Sequence, residues 1–248
     1  MEKETIVEQF MLPSRGKVYD KEVNPIIELS SMKVWQEMKR LSPTDTPYKL
    51  MSDIIEECMS SKPGISVYDM CLGDYQFLLF KLRTVTYGSK YKMNITCPTC
   101  GAFEEVITDL DDVEVIEYED DYENLKHITL PSSGKLIELE YQTPRKLDDI
   151  SRKSKEMRRK LKTNTDYTLL FTLMSVIKKI DGQEVNEVML ENFCKNLDMK
   201  DTQFILKAAE ALNDKVGMSS DIVITCPSCN KDIITPFRLT SEFFGPTI

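Results

Sequence analysis

Around four short stretches of the chain polar and apolar residues alternate with a period of two, and between them apolar residues recur at helical spacing. Phe10-Met11-Leu12 and Val18-Tyr19 flank the turn-forming run Pro13-Ser14-Arg15-Gly16-Lys17, a pattern that predicts a β-hairpin. Ser31 opens a helix carrying Trp35, Met38 and Leu41. Thr46-Pro47 is a cap and first-turn pair before a second helix with Tyr48, Met51, Ile54, Ile55 and Cys58. Asp74 reads as the cap of a third helix, which ends at Tyr87-Gly88 with glycine as the left-handed stop. A hairpin follows at once, with strands over Lys92 to Thr96 and Phe103 to Thr108.

The second half repeats this order. Leu130-Pro131-Ser132-Ser133-Gly134-Lys135 answers Leu12-Pro13-Ser14-Arg15-Gly16-Lys17, between predicted strands His127 to Leu130 and Leu136 to Leu139. Thr143-Pro144 starts a long helix to about Lys162, and Tyr167 to Ile180 reads as a strongly apolar helix. Asp201-Thr202-Gln203-Phe204 matches Asp74-Tyr75-Gln76-Phe77, Gly217 matches Gly88 as a helix stop, and a last hairpin runs over Ile222 to Thr225 and Asp232 to Leu239. The separation between counterparts widens in one direction while their order is kept, the pattern left by tandem duplication and small insertions. The predicted fold is α+β: mainly helical, internally duplicated, with short antiparallel hairpins. Its parts are a first repeat over 1–110, an acidic connector over 111–124 and a second repeat over 125–248.

The two late hairpins carry the chemistry. Cys97-Pro98-Thr99-Cys100-Gly101 and Cys226-Pro227-Ser228-Cys229-Asn230 are matched knuckles, and a Cys-x-x-Cys turn places two sulfurs on one ion. The residue after each second cysteine needs a left-handed backbone, which glycine adopts freely and asparagine tolerates. Cys97, Cys100, Cys226 and Cys229 are therefore read as the ligands of one structural zinc joining the two repeats. Closing so long a loop costs about 5 kcal/mol, against about 10 to 16 kcal/mol for binding a structural zinc. A dithiol redox pair is the alternative; it would open a helix inside a βαβ unit, whereas both knuckles lie between predicted strands. Cys58, Cys71 and Cys194 lie in apolar helical contexts and are read as core thiols.

Charge narrows the function. A net charge of −9, from 41 acidic and 32 basic residues, disfavours a protein that coats nucleic acid. No apolar run is long enough for a membrane helix, the N-terminus does not read as an export signal, and the chain is expected to be a soluble protein made in a cytosol. Two charge runs break the repeat: Asp109 to Glu123 with nine acidic residues and no basic one, and Arg145 to Lys162 with nine basic and three acidic. Both read as solvated faces, with charge complementarity between them as the sharper alternative. The basic helix, with Arg152 and Arg159, is a candidate partner surface; a zinc-ribbon module binding nucleic acid through residues 145–162 is the rival reading. Phe243 and Phe244, in the segment Thr240 to Pro246, are expected as a partner-docking aromatic pair, or else as a cap folded over the knuckle. The single histidine, His127, has no nucleophile placed beside it and reads as a surface strand residue; no catalytic or nucleotide-binding motif is present, so no enzyme activity is expected.

The series Leu12-Pro13-Ser14-x-Gly16-Lys17, the helical body, Asp74 followed by Leu78, Leu79, Leu82, Arg83 and Tyr87-Gly88, and then Cys97-Pro98-Thr99-Cys100, resembles the baseplate hub and hub-assembly chaperone family of T-even-type contractile-tailed bacteriophages. The resemblance spans nearly the whole chain. It implies a tail protein, either built into the hub of the baseplate or helping it to assemble, with other baseplate or tail proteins and the tape-measure protein as partners and no small-molecule substrate. It implies residence in the host cytoplasm during assembly, or in the virion baseplate. Some relatives lack the full cysteine set, so the zinc assignment rests on the four cysteines themselves.

Overall fold

The structure is a computed structural model and describes residues 7–219, 221–236 and 241–244. The chain opens with β1 (Val7–Met11), antiparallel to β2 (Ile26–Ser30). The predicted return strand Val18-Tyr19 does not pair. Both residues are buried, and the segment instead carries donors inward: Ser14 donates its N–H and hydroxyl, and Tyr19 its hydroxyl, to the Asp74 carboxylate. A buried carboxylate needs such donors, and satisfying it takes the chain out of the hairpin until Ile26.

α1 (Val34–Arg40) and α2 (Pro47–Cys58) follow. Thr46 precedes α2 as expected, yet its side chain makes no cap bond. The N-terminal amides of Tyr48 and Lys49 point instead at the Asp148 carboxylate, at 3.4 and 2.9 Å. α3 (Leu72–Tyr87) ends at Gly88, which has φ +87°. Cys71 holds its cap position, so Asp74 is a residue of the first turn tied to the Leu12–Lys17 loop rather than the cap predicted. The first knuckle hairpin is β3 (Lys90–Thr96) with β4 (Phe103–Asp109).

The acidic segment is folded. A 3-10 turn over Leu110–Asp112, β5 (Val115–Ile116) and a 3-10 helix over Asp120–Lys126 carry Leu110, Val113 and Tyr122 into the core. Its carboxylates pair with Arg15, Lys17, Lys81, Lys90 and Lys215, not with the basic helix, so complementarity between the two runs within one chain, the alternative to solvated faces, is not made among the described residues.

β6 (His127–Thr129) and β7 (Leu136–Leu139) form the predicted hairpin. α4 (Pro144–Leu161) starts as read, with the Thr143 hydroxyl accepting from Lys146 N–H, and stops at Lys162 in the left-handed conformation. The apolar run after it divides into α5 (Thr168–Val176) and β8 (Ile177–Ile180). β8 lies antiparallel to β7, and Ile137, Leu139, Ile177 and Ile180 are all buried. Asp181-Gly182, both with positive φ, turns the chain into β9 (Gln183–Glu184), completing a sheet of order β6-β7-β8-β9. α6 (Glu187–Lys195) and α7 (Met199–Asp214) lead to β10 (Gly217–Met218), which pairs with β5. The last hairpin is β11 (Asp221–Thr225) with β12 (Asp232–Pro236), and a 3-10 turn occupies Ser241–Phe244. The rest of the predicted strand to Leu239, and Thr240, Gly245 and Pro246 of the C-terminal segment, lie outside the described residues.

The chain is thus a mixed helix and sheet protein with short antiparallel sheets; at 44% helix it is less helical than the sequence pattern suggested. Asp201 occupies the same place in α7 as Asp74 in α3, and its carboxylate accepts the N–H groups of Ser132 and Ser133 at 2.8 and 3.1 Å. The predicted helix stop at Gly217 is not one, since α7 ends at Asp214. Gly217, at φ +134°, lies against Gly73 of α3 so closely that a Cβ on Gly73 would sit 1.8 Å from the Val216 carbonyl oxygen. Only two glycines allow that approach of backbones. Gly73→Ala is therefore expected to lower the unfolding free energy by about 3 kcal/mol or more, the upper range for overpacking. Gly134→Ala, at φ +67° in open space, should cost about 1 kcal/mol from backbone strain alone. Urea denaturation of the two variants measures both; equal losses would contradict the close approach.

Candidate metal centre

Each knuckle is built by its own hairpin. Cys97 N–H donates to the Ala102 carbonyl and Gly101 N–H to the Cys97 carbonyl, both at 2.9 Å; Cys226 donates to Lys231 at 2.9 Å and Asn230 to Cys226 at 2.8 Å. Gly101 and Asn230 take φ of +73° and +56°, the left-handed slot the sequence assigned to them. Ile95, Val106, Ile222, Ile224 and Ile233 are buried beneath the turns, so one apolar layer holds the two hairpins together. The Ser228 hydroxyl adds a hydrogen bond to Glu104 of the other hairpin.

All four knuckle sulfurs lie within 4.8 Å of one another. The short contacts cross from one hairpin to the other, Cys97 to Cys229 at 3.7 Å and Cys100 to Cys226 at 3.9 Å. A tetrahedron with metal–sulfur bonds of about 2.3 Å has edges of about 3.8 Å, so the donor set fits one ion. A disulfide would need sulfurs at about 2.05 Å, and all seven cysteines are free thiols. Cys97 and Cys226 are buried, Cys229 is half-buried and Cys100 is exposed.

Cys97 and Cys229 are shifted in opposite directions. Backbone N–H groups of Cys100 and Thr99 pull the Cys97 thiol down to about 6, against the opposing effect of burial. At Cys229 the Lys231 N–H also pulls down, but burial and the three other sulfurs outweigh it and carry the thiol up to about 12. Crowded thiolates repel, and a divalent ion among them would reverse that balance and deprotonate its ligands. Four sulfurs fill a tetrahedral ion and leave no position for water, so such a centre would hold structure rather than activate a substrate.

The other sequence-derived candidates are scattered. Phe243 and Phe244, expected to be free for docking, are packed inward at 1% and 7% exposure. Phe243 lies against Phe80 and Tyr91, with ring centroids 5.1 and 5.7 Å away, so it closes the base of the first hairpin rather than covering the knuckle. Arg83, present in the motif series but with no role assigned there, is the reason: its buried guanidinium donates to the carbonyls of Phe243, Gly88 and Lys90. The available signal is an arginine directly after the mainly apolar stretch Phe77 to Leu82. Arg152 is exposed and paired with Asp149 and Glu156 of its own helix; Arg159 is exposed with no ion pair among the described residues. His127 is exposed in β6, and Cys58, Cys71 and Cys194 are buried, all as read from the sequence.

A family model described as T4 bacteriophage base plate protein matches residues 4–245. The chain belongs to that family. No curated protein and no solved structure matches it. Membership makes it a phage baseplate protein with a structural or assembly role, whose partners are other baseplate or tail proteins. Among the described residues no helix is long and apolar enough to cross a membrane.

Phe243→Ala should cost about 3 to 5 kcal/mol, the range for truncating a buried phenylalanine. Thermal and chemical denaturation measure the loss; a cost under about 1 kcal/mol would mean the aromatic pair does not seal the core.

Proposed function

We propose that this chain is a non-enzymatic structural or assembly protein acting at the hub of the phage baseplate, with the tape-measure protein among its partners. In this reading two units descended from a duplication are stapled by one structural zinc. The observation that carries it is the four-sulfur cluster drawn equally from two matching hairpins. A site without an open ligand position suits a scaffold, and sulfur-only tetrahedral donor sets suit zinc or iron. The parallel placing of Asp74 and Asp201 against their own Leu-Pro-Ser turns supports the duplication. The hub assignment is supported by the motif series from Leu12 to Cys100 within a chain of the baseplate family. Against the nucleic-acid reading, five cations of the basic helix, Arg145, Lys146, Arg152, Lys153 and Lys155, are already paired with carboxylates of this chain.

Elemental analysis of the purified protein should find about one zinc per chain, and chelation should lower the melting temperature. Cys97→Ser and Cys226→Ser should be equally harmful, each losing about 3 kcal/mol, or roughly 6 to 12 °C. Iron in place of zinc, two metals per chain, or none after expression with added zinc would overturn the shared site. For the hub role, the protein should be found in purified tails or bound to hub intermediates; its absence from both would overturn that role.

A further inference from the structure

α1 is amphipathic the wrong way round. Its inward face is polar: Gln36 is 5% exposed, its side-chain oxygen accepting the Lys33 N–H at 2.7 Å, and Arg40 is paired with Glu37 while lying over the Phe244 ring. Its outward face is apolar, with Val34, Trp35, Met38 and Leu41 exposed at 78, 46, 66 and 67%. These positions follow one helical stripe, and Trp35 is the only tryptophan in the chain. A helix that serves only its own core places its stripe inward. Tryptophan and methionine, moreover, are enriched at the centres of protein interfaces.

The ground beside the stripe says what would cover it. An open groove of about 520 Å³ runs between α1 and α2, lined by Lys39, Ser42, Leu50, Asp53, Glu56 and Glu57. Lys39 belongs to both features, since its ammonium lies 3.8 Å from the centroid of the Trp35 ring and pairs with Glu57. Three carboxylates thus stand against two ammoniums next to an apolar ridge: Glu57 pairs with Lys39, Asp53 pairs with Lys49, and Glu56, which among the described residues accepts only from the Ser66 hydroxyl and the Val67 N–H, leaves one negative charge in excess. A segment that buries apolar side chains on the ridge and places cations over the groove satisfies both at once. A helix with an apolar face and basic flanks has that form. An acidic helix would meet like charge, which costs specificity and slows encounter.

We propose that the outward face of α1, with the acidic groove beside it, docks a basic amphipathic helix of another baseplate protein. The class of partner rests on the baseplate reading; the chemistry of the site does not.

Trp35 makes the site its own reporter. The full-length protein would be titrated with two designed helical peptides that share one leucine face and carry either lysine or glutamate along its flanks. The lysine peptide should shift the Trp35 emission to the blue and bind on the order of tenfold more tightly than the glutamate peptide, and Met38→Ser with Leu41→Ser should abolish the shift. No shift with either peptide, or equal binding of both, would overturn the proposal, as would a shift driven by the protein's own concentration, which would make a second copy the occupant. In assembling baseplates, Trp35→Ser with Met38→Ser should retain metal and melting temperature, because these side chains are exposed, while losing incorporation on the order of tenfold relative to the wild type. Wild-type incorporation by that variant would overturn the docking site and leave the baseplate role intact.

Discussion

Two antiparallel hairpins meet tip to tip, each bringing two sulfurs to a cluster that neither completes alone. A two-stranded sheet is marginal in water by itself, and β3-β4 and β11-β12 are both sheets of only two strands. Their shared apolar layer of Ile95, Val106, Ile222, Ile224 and Ile233 is thin. At their tips the four thiols converge within 4.8 Å of one another, the arrangement that one shared ion would hold. α3 feeds its hairpin through Gly88, and α7 feeds the other through β10. The base of the first hairpin is then locked by Arg83, which ties the helix end, the start of β3 and the C-terminal turn into one buried fork.

Interior carboxylates do comparable work in the body. Asp148 of α4 receives the first amides of α2 and the Tyr68 hydroxyl, so the second half of the chain caps a helix of the first. A carboxylate at a helix N-terminus is favoured both as acceptor and by the helix dipole. Asp74 and Asp201 hold the Leu-Pro-Ser turns onto α3 and α7 in the same manner. With hairpins, helix caps and the Gly73–Gly217 contact all crossing between the halves, the chain has a frame on which α1 can afford to turn its apolar face outward.

The parts of this arrangement that sequence made legible are local. The knuckles announce themselves because two cysteines, a proline and a left-handed residue occupy five consecutive positions, and Thr143-Pro144 and Gly88 mark helix ends for the same reason. Long-range partners were not legible. Asp74 and Asp201 look like caps because aspartate at a helix start usually is one, and only the fold shows that their acceptors serve distant turns. Ile177 to Ile180 fits a helix as well as a strand, because a short buried apolar run suits either period; Asp181-Gly182, a hairpin turn pair, is the local sign of a strand. Trp35, Met38 and Leu41 share helical spacing whether they face core or solvent, and it is Gln36, with its oxygen on the Lys33 N–H, that is buried on the inward side. Phe243 could not be placed without Arg83, which lies 160 residues before it in the chain.

In the proposed centre, four sulfurs from both hairpins bind one zinc ion. X-ray absorption at the zinc edge of the purified protein tests it most directly. The expected result is a single shell of four sulfurs at about 2.3 Å. A shell with fewer sulfurs, completed by nitrogen or oxygen at about 2.0 Å, would contradict it, because the hairpins would then not be closing on the same ion.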